Sequence, residues 1–291
     1  MLFPDVVRNK LVFAKWNRDA DIWRIPMLSD GATGKPEKLI SSVRPETDPQ
    51  YSPDGKRICF VSHRSGHSEI WIAGADGTGA VQITGMKSPL LDCPRWSPDA
   101  LSIVFQAMRD GRFQAFLVSV DTGSLHQLTD DPKVARAAPS FSQDGKWVYF
   151  TSARTGRSEI WKMPPQGGSD VQVTQNGGLR AWESNDGQRL FIEKESPRGL
   201  WEKSLASGEE KLILSSHPGD PVFTHAGVWF NTARGIQFSD NPATGLRSLF
   251  VTPTSLPSMR HQMSVSPDGR YALFAQYTEN RSELLLVDGF H

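Results

Sequence analysis

The side chains best able to do chemistry in this chain are scattered rather than grouped. Its seven histidines, His63, His67, His126, His217, His225, His261 and His291, form no His-x-His and no His-Glu-x-x-His spacing, the patterns that bring imidazoles onto one metal ion. His63 and His67 share one polar turn and could reach a common ion, but two loop histidines are more often simply solvated. Gly66-His67-Ser68-Glu69 and Gly156-Arg157-Ser158-Glu159 begin like a Gly-x-Ser-x-Gly nucleophile elbow. Ile follows in both, and each segment joins strand to strand instead of strand to helix, so neither reads as a serine nucleophile. Asp54, Asp99, Asp144, Asp186 and Asp268 recur in Ser-x-Asp-Gly-like strings. Asp and Gly there are turn-formers first, because Asp bonds local backbone and Gly takes positive φ. A ring of such carboxylates could bind metal in principle, but repetition is what a turn demands, whereas a site usually breaks symmetry. Asn280-Arg281-Ser282 matches a glycosylation acceptor, a short and weak signal. No catalytic residue, metal ligand or cofactor is assigned.

The elements that carry these residues repeat. Tyr51-Ser52-Pro53-Asp54-Gly55-Lys56 recurs as Trp96-Ser97-Pro98-Asp99-Ala100, Phe141-Ser142-Gln143-Asp144-Gly145, Glu183-Ser184-Asn185-Asp186-Gly187 and Val265-Ser266-Pro267-Asp268-Gly269, with a degenerate copy at Phe223-Thr224-His225-Ala226-Gly227. The anchors at 52, 97, 142, 184, 224 and 266 lie 45, 45, 42, 40 and 42 residues apart, within the ~40–45 residues of a four-stranded propeller blade. After each anchor come an apolar run ending in an aromatic (Ile58-Cys59-Phe60, Val148-Tyr149-Phe150), a polar turn, a second run (Glu69-Ile70-Trp71, Glu159-Ile160-Trp161) and a short fourth run (Val81-Gln82-Ile83-Thr84). Short β-branched and aromatic runs split by Gly, Pro, Asn and Asp read as strands and turns. A weaker copy opens the chain, with Leu11-Val12-Phe13 as second strand and Asp21-Ile22-Trp23 as third. Seven copies over 291 residues predict seven blades, six being the less favoured count, with a three-stranded last blade.

Bulk composition narrows the function. Lys+Arg and Asp+Glu both number 32, so charge alone supplies no reason to expect nucleic acid or an anionic membrane as the main partner. Two cysteines make no disulfide framework. No apolar run approaches the ~18 residues of a membrane helix, and the first residues lack the pattern of a signal peptide.

The strings Pro49 to Trp71 and Pro139 to Trp161 resemble the repeat of the TolB-type propeller family. A narrower resemblance, in Ser282 to His291, Ile22-Trp23-Arg24-Ile25-Pro26 and Leu39-Ile40-Ser41-Ser42, is to the C-terminal propeller of bacterial CadC-like winged-helix regulators. Those join a DNA-binding domain to a TolB-like array, often across a membrane. The winged helix has no counterpart here, so DNA binding does not carry over. The resemblance implies one all-β propeller domain over 1–291, a fragment or close relative of a longer repeat protein. It implies a periplasmic setting if the chain is attached to a membrane-anchored regulator; compartment is otherwise open. The sixth copy, Val222 to Phe250, departs from the pattern, having lost both the Asp-Gly anchor and the Glu-Ile-Trp segment.

On such a scaffold the first strand of each blade lines a central channel, and the loops before it and between strands two and three share one face. Arg44, Arg136, Arg180, Arg260 and His261 sit in or beside those loops and are the expected ligand-binding residues, since guanidinium forks hold carboxylates bidentately. Arg64 and Arg154 occupy one repeat position and read as packing. The expected function is a non-catalytic interaction or sensing module, monomeric, without cofactor, that binds a protein or peptide at the channel mouth. The alternatives are a lyase-like propeller enzyme acting on carbohydrate, or the propeller of a prolyl-oligopeptidase-like peptidase.

Overall fold

Each Ser-x-Asp-Gly string folds into the same hydrogen-bonded turn, and these turns set the blades. In the computed structural model, which describes residues 5–7, 10–28, 33–130, 138–215, 221–224, 227–232, 235–239, 247–250 and 263–288, the Ser52 hydroxyl donates to Asp54 Oδ1 at 2.5 Å. The same carboxylate oxygen accepts the Lys56 amide at 3.1 Å, and Ser52 Oγ accepts the Arg57 amide at 2.9 Å. Gly55 turns the chain at φ 69°, and Ala100 takes that place at φ 59°. The Ser–Asp bond recurs at Ser97–Asp99, Ser142–Asp144, Ser184–Asp186 and Ser266–Asp268.

Five sheets of four antiparallel strands follow in chain order. Blade 1 comprises Glu46–Tyr51, Arg57–Ser62, Glu69–Gly74 and Val81–Gln82; blade 2 comprises Leu91–Trp96, Ser102–Arg109, Arg112–Ser119 and Leu125–Gln127. Blade 3 comprises Ser140–Phe141, Val148–Ser152, Glu159–Met163 and Val171–Gln172; blade 4 comprises Arg180–Glu183, Arg189–Glu195, Arg198–Ser204 and Glu210–Leu214. Blade 5 comprises Pro221–Thr224, Gly227–Thr232, Gly235–Ser239 and Arg247–Phe250. Blade 5 lacks the standard anchor; its second strand starts at Gly227, at φ 147°, where a Cβ would lie 2.3 Å from the Ser239 carbonyl oxygen. Hydrophobic layers between blades hold the ring, such as Cys59, Val61 and Ile70 of blade 1 against Leu91, Ile103 and Phe105 of blade 2.

The sixth sheet corrects the expectation of seven blades with a three-stranded last one. Its inner and second strands, Met263–Val265 and Tyr271–Asp288, come from the end of the chain. Its third and outer strands, Lys10–Pro26 and Glu37–Ile40, come from the beginning. In blades 1 and 3 the repeat places Phe60 opposite Trp71 and Phe150 opposite Trp161. In the closing blade Trp23 lies opposite Phe274, and Phe13 is instead opposite Leu285. The first and last copies are therefore two halves of one blade, and the described strands form six blades. Asp5–Val7 pairs with Lys10–Val12 where Lys10–Pro26 and Tyr271–Asp288 run together. Two strands from each end give the ring no open radial edge, the problem a propeller otherwise leaves at its seam.

The repeated Glu of Glu-Ile-Trp locks blade to blade. Buried Glu69 accepts the Thr84 hydroxyl at 2.5 Å and the amides of Met86 and Lys87 at 3.1 and 2.8 Å, tying the third strand to the connection into blade 2. Glu159 repeats this with Thr174 and Gly177. Gln114 takes the role in blade 2, through Thr129.

Ile22, fully buried in the closing blade, packs with Ile40, Tyr51, Ile58, Phe60 and Leu273. Ile22→Ala is expected to lower stability in urea by about 2–5 kcal/mol, while Val43→Ala, at a position 90% exposed, leaves the midpoint unchanged. An unchanged midpoint for Ile22→Ala would remove the N-terminal strand from the ring.

Candidate functional site

One position on each inner strand, two residues before the anchor serine or its counterpart, forms a ring: Gln50, Arg95, Ser140, Trp182, Val222 and Ser264. Strand register confirms the equivalence, since these residues lie opposite Cys59, Val104, Tyr149, Phe191, Trp229 and Leu273 on their second strands. Five of them line a cavity of about 300 Å³, together with Met263 beside the sixth. Pro53, Pro98, Gln143 and Asn185 also line it, so it opens at the end of the channel that carries the Asp-Gly turns.

Its wall sets four aromatic side chains, Trp96, Phe141, Trp182 and Phe223, among polar ones. Trp96 is fixed by an indole N–H donated to the Gln50 carbonyl at 3.1 Å and by the Arg57 guanidinium over its ring, 5.0 Å from the centroid. Phe223 stacks on Phe191 at 4.3 Å and meets Trp182 at 5.8 Å. Glu183 is the one acid on the wall; it accepts the Gln143 amide at 2.8 Å, and burial raises its carboxyl above the usual range. Arg95 is the one cation there. Its Nη1 donates to the Pro94 carbonyl at 2.9 Å, and it forms no ion pair among the described residues.

Behind Arg95 the space narrows to a cleft of about 10 Å³ lined by Cys93, Arg95, Ala138, Pro139, Ser140, Arg180, Ala181 and Trp182. Three blades carry a left-handed residue at this depth, Asp48, Cys93 and Ala138, at φ 52°, 56° and 38°, and the first two lie in bulged strands. The register of the first two slips between Thr47 and Gln50 and between Asp92 and Arg95. An extra residue in one strand re-aims the side chains after it. Gln106 spans two blades, donating to Asp92 Oδ1 at 2.5 Å and accepting the Ala138 amide at 2.9 Å. Asp48 is buried, and its carboxyl is pushed up to about 7, first by burial and then by the charge of Asp92, against the pull of Thr47 and Arg95.

Of the expected ligand-binding residues, Arg180 stands in the cleft, 3.7 Å from Glu193. Arg44 is exposed, its amide donating to Ser42 Oγ at 3.1 Å, and it lines neither cavity. Arg136, Arg260 and His261 lie outside the described residues. Arg64 pairs with fully buried Glu46 at 2.6 Å and covers Trp71 at 4.8 Å; Arg154 likewise pairs with Asp170 and covers Trp161. Lys194 over Trp201 continues the series, so this repeated cation is spent on packing. His63 meets Ser68 Oγ at 3.2 Å, and among the described residues no three His, Cys, Asp or Glu side chains converge. Arg95 was not singled out from sequence, although comparing the six ring positions marks it: it alone is charged.

A closed ring of four-stranded blades around a channel is a β-propeller. The TolB beta propeller domain family matches residues 17–228, and the chain belongs to that family. It is similar to the structure of TolB from Acinetobacter baumannii, at 21% identity and a TM-score of 0.62, over 91% of this chain and 65% of that one. It also resembles a chain of a nidogen/laminin complex (12% identity, TM-score 0.65, 81% of this chain and 92% of that one). A puromycin-hydrolyzing peptidase of Mycobacterium tuberculosis is a third likeness (13% identity, TM-score 0.58, 89% and 54%). The chain thus spans less than two thirds of the length of the TolB and peptidase structures. No curated protein matches it in sequence.

An unfolded chain ionises Asp48 near its ordinary value of about 4. Folding therefore holds a proton there as pH rises toward about 7, stability falls through that window, and above it the full cost of the buried charge is present. Asn tolerates left-handed backbone, so Asp48→Asn is expected to stabilise the protein by about 2–4 kcal/mol at pH 8 and little at pH 4. Urea midpoints at the two pH values check this; an equal effect at both would mean that the carboxyl titrates normally.

Proposed function

We propose that this propeller is a non-catalytic binding module, a single monomeric domain over 1–291 that takes a segment of a protein or peptide partner into its channel mouth. The observation that carries the reading is the cavity of about 300 Å³ whose wall joins aromatic side chains from several blades to a few polar groups. A concave, mostly apolar site with a few placed polar groups is the general form of a ligand pocket. The turn residues at its rim, Gln143 and Asn185, are exposed, which leaves the opening accessible. A sensing role, like that of the propeller in CadC-like regulators, is part of the proposal, and so is a periplasmic setting if the chain is attached to such a regulator. The likeness to peptidase structures is one of fold, and the Ser142 hydroxyl on the wall is committed to the repeated turn with Asp144, so the binding reading is preferred to a peptidase or carbohydrate-lyase one.

The double variant Gln143→Trp/Asn185→Trp fills the mouth from two exposed turn positions. A pool of short synthetic peptides retained by the native protein in equilibrium dialysis is expected to be retained roughly tenfold less by this variant. Equal retention by both proteins, or none by the native one, would overturn the reading. Cleavage of the pool by the native protein would put the peptidase reading in its place.

A further inference from the structure

Resting on that channel reading, we propose that Arg95 receives the free C-terminal carboxylate of the bound chain, so that the propeller reads a chain end. The first argument is symmetry. Features that the blades need recur in them: the Ser–Asp turns, the Trp under a cation, the buried Glu or Gln. Arg95 has no counterpart, because the equivalent residues are Gln50, Ser140, Trp182, Val222 and Ser264.

The second argument is unmet hydrogen-bonding capacity. A guanidinium carries five N–H donors, and among the described residues the one side-chain bond made by Arg95 goes to the neighbouring Pro94 carbonyl. No carboxylate lies within ion-pair distance among the described residues. Asp92 accepts from Gln106, Glu183 accepts from the Gln143 amide, and Asp48 holds its proton up to about pH 7. A half-buried guanidinium with open donors fits the planar fork of a carboxylate. Glu183 and Asp92 near the same channel disfavour a doubly charged phosphate.

The third argument is shape. The open volume falls from about 300 Å³ on the turn side of Arg95 to about 10 Å³ behind it. Among the described residues the lining closes in behind Arg95, which suits a terminus rather than a passing segment, while Trp96 and Trp182 flank the place of its last side chain.

The test compares pooled N-acetylated tripeptides as free acids and as C-terminal amides, dialysed against the native protein. The acids are expected to be retained roughly tenfold better than the amides, a comparison that needs no variant to fold. Arg95→Gln should abolish the preference and Arg95→Lys should keep part of it. Acids and amides retained equally, yet both lost on Gln143→Trp/Asn185→Trp, would overturn the carboxylate assignment and leave the channel reading standing. Amides with an internal Asp retained as well as the acids would overturn the chain-end assignment. Retention indifferent to the filled mouth, or no retention, would overturn both.

Discussion

The pairing of Lys10–Pro26 with Tyr271–Asp288 is the constraint on which the rest of the molecule depends. A four-stranded blade has two apolar faces and buries them only against neighbours. A row of such blades therefore has two uncovered ends unless it closes. Here the closing blade faces both ways. Ile22, Ile40 and Leu273 pack with Tyr51, Ile58 and Phe60 of blade 1, while Ile25, Met27 and Phe274 pack with Trp229 and Ile236 of blade 5. A hydrogen bond joins the closing blade to blade 1, from the Tyr51 amide to Ser264 Oγ at 3.0 Å, and another joins the two halves of the closing blade, from the Met27 amide to the Arg270 carbonyl at 2.8 Å. Closure fixes how many inner strands surround the channel, and hence which side chains share it.

Much of the local architecture was legible in the sequence because the turn chemistry is strict. Ser, Asp and Gly at fixed offsets make one hydrogen-bonded turn, and the Glu-Ile-Trp and Val-Gln-Ile-Thr strings meet through a carboxylate–hydroxyl bond. The blade count was not legible, for a specific reason. Leu11-Val12-Phe13 and Asp21-Ile22-Trp23 look like two strands of one hairpin, yet they lie on one continuous strand whose partners are at the other end of the chain. Local pattern reports what a segment resembles; it carries no information on whether Trp23 finds Phe13 or Phe274 opposite it.

The candidate site was legible only in part, because attention to variable loops passes over the inner strands. Arg44 and Arg180 were visible as unexplained arginines, and Arg180 does stand at the channel wall, near Glu193. Arg95 was hidden between Pro94 and Trp96, in a string that reads as an ordinary strand. Which side of that strand faces the channel depends on the bulge at Cys93. A single extra residue exchanges the two faces, and Cys93 and Ala138 are not residue types that announce a left-handed backbone.

The same bulges explain how a neutral, symmetric scaffold holds an uneven charge. At equivalent depth blade 1 carries Asp48 and blade 2 carries Asp92 and Arg95, while Ala138 and Ser140 leave blade 3 uncharged. A partly buried cation without a counterion is costly unless something offsets its desolvation. Asp48 lies close enough to Arg95 to interact with it electrostatically, and its shift records both the repulsion by Asp92 and the attraction of Arg95. Neither acid neutralises Arg95 at contact distance, so the guanidinium keeps its donors open. A packed ion pair such as Arg64–Glu46 rigidifies a blade but offers a ligand nothing. An arginine held near acids that do not touch it keeps its charge available in the channel, and that separates a recognition residue from the structural cations of the same ring.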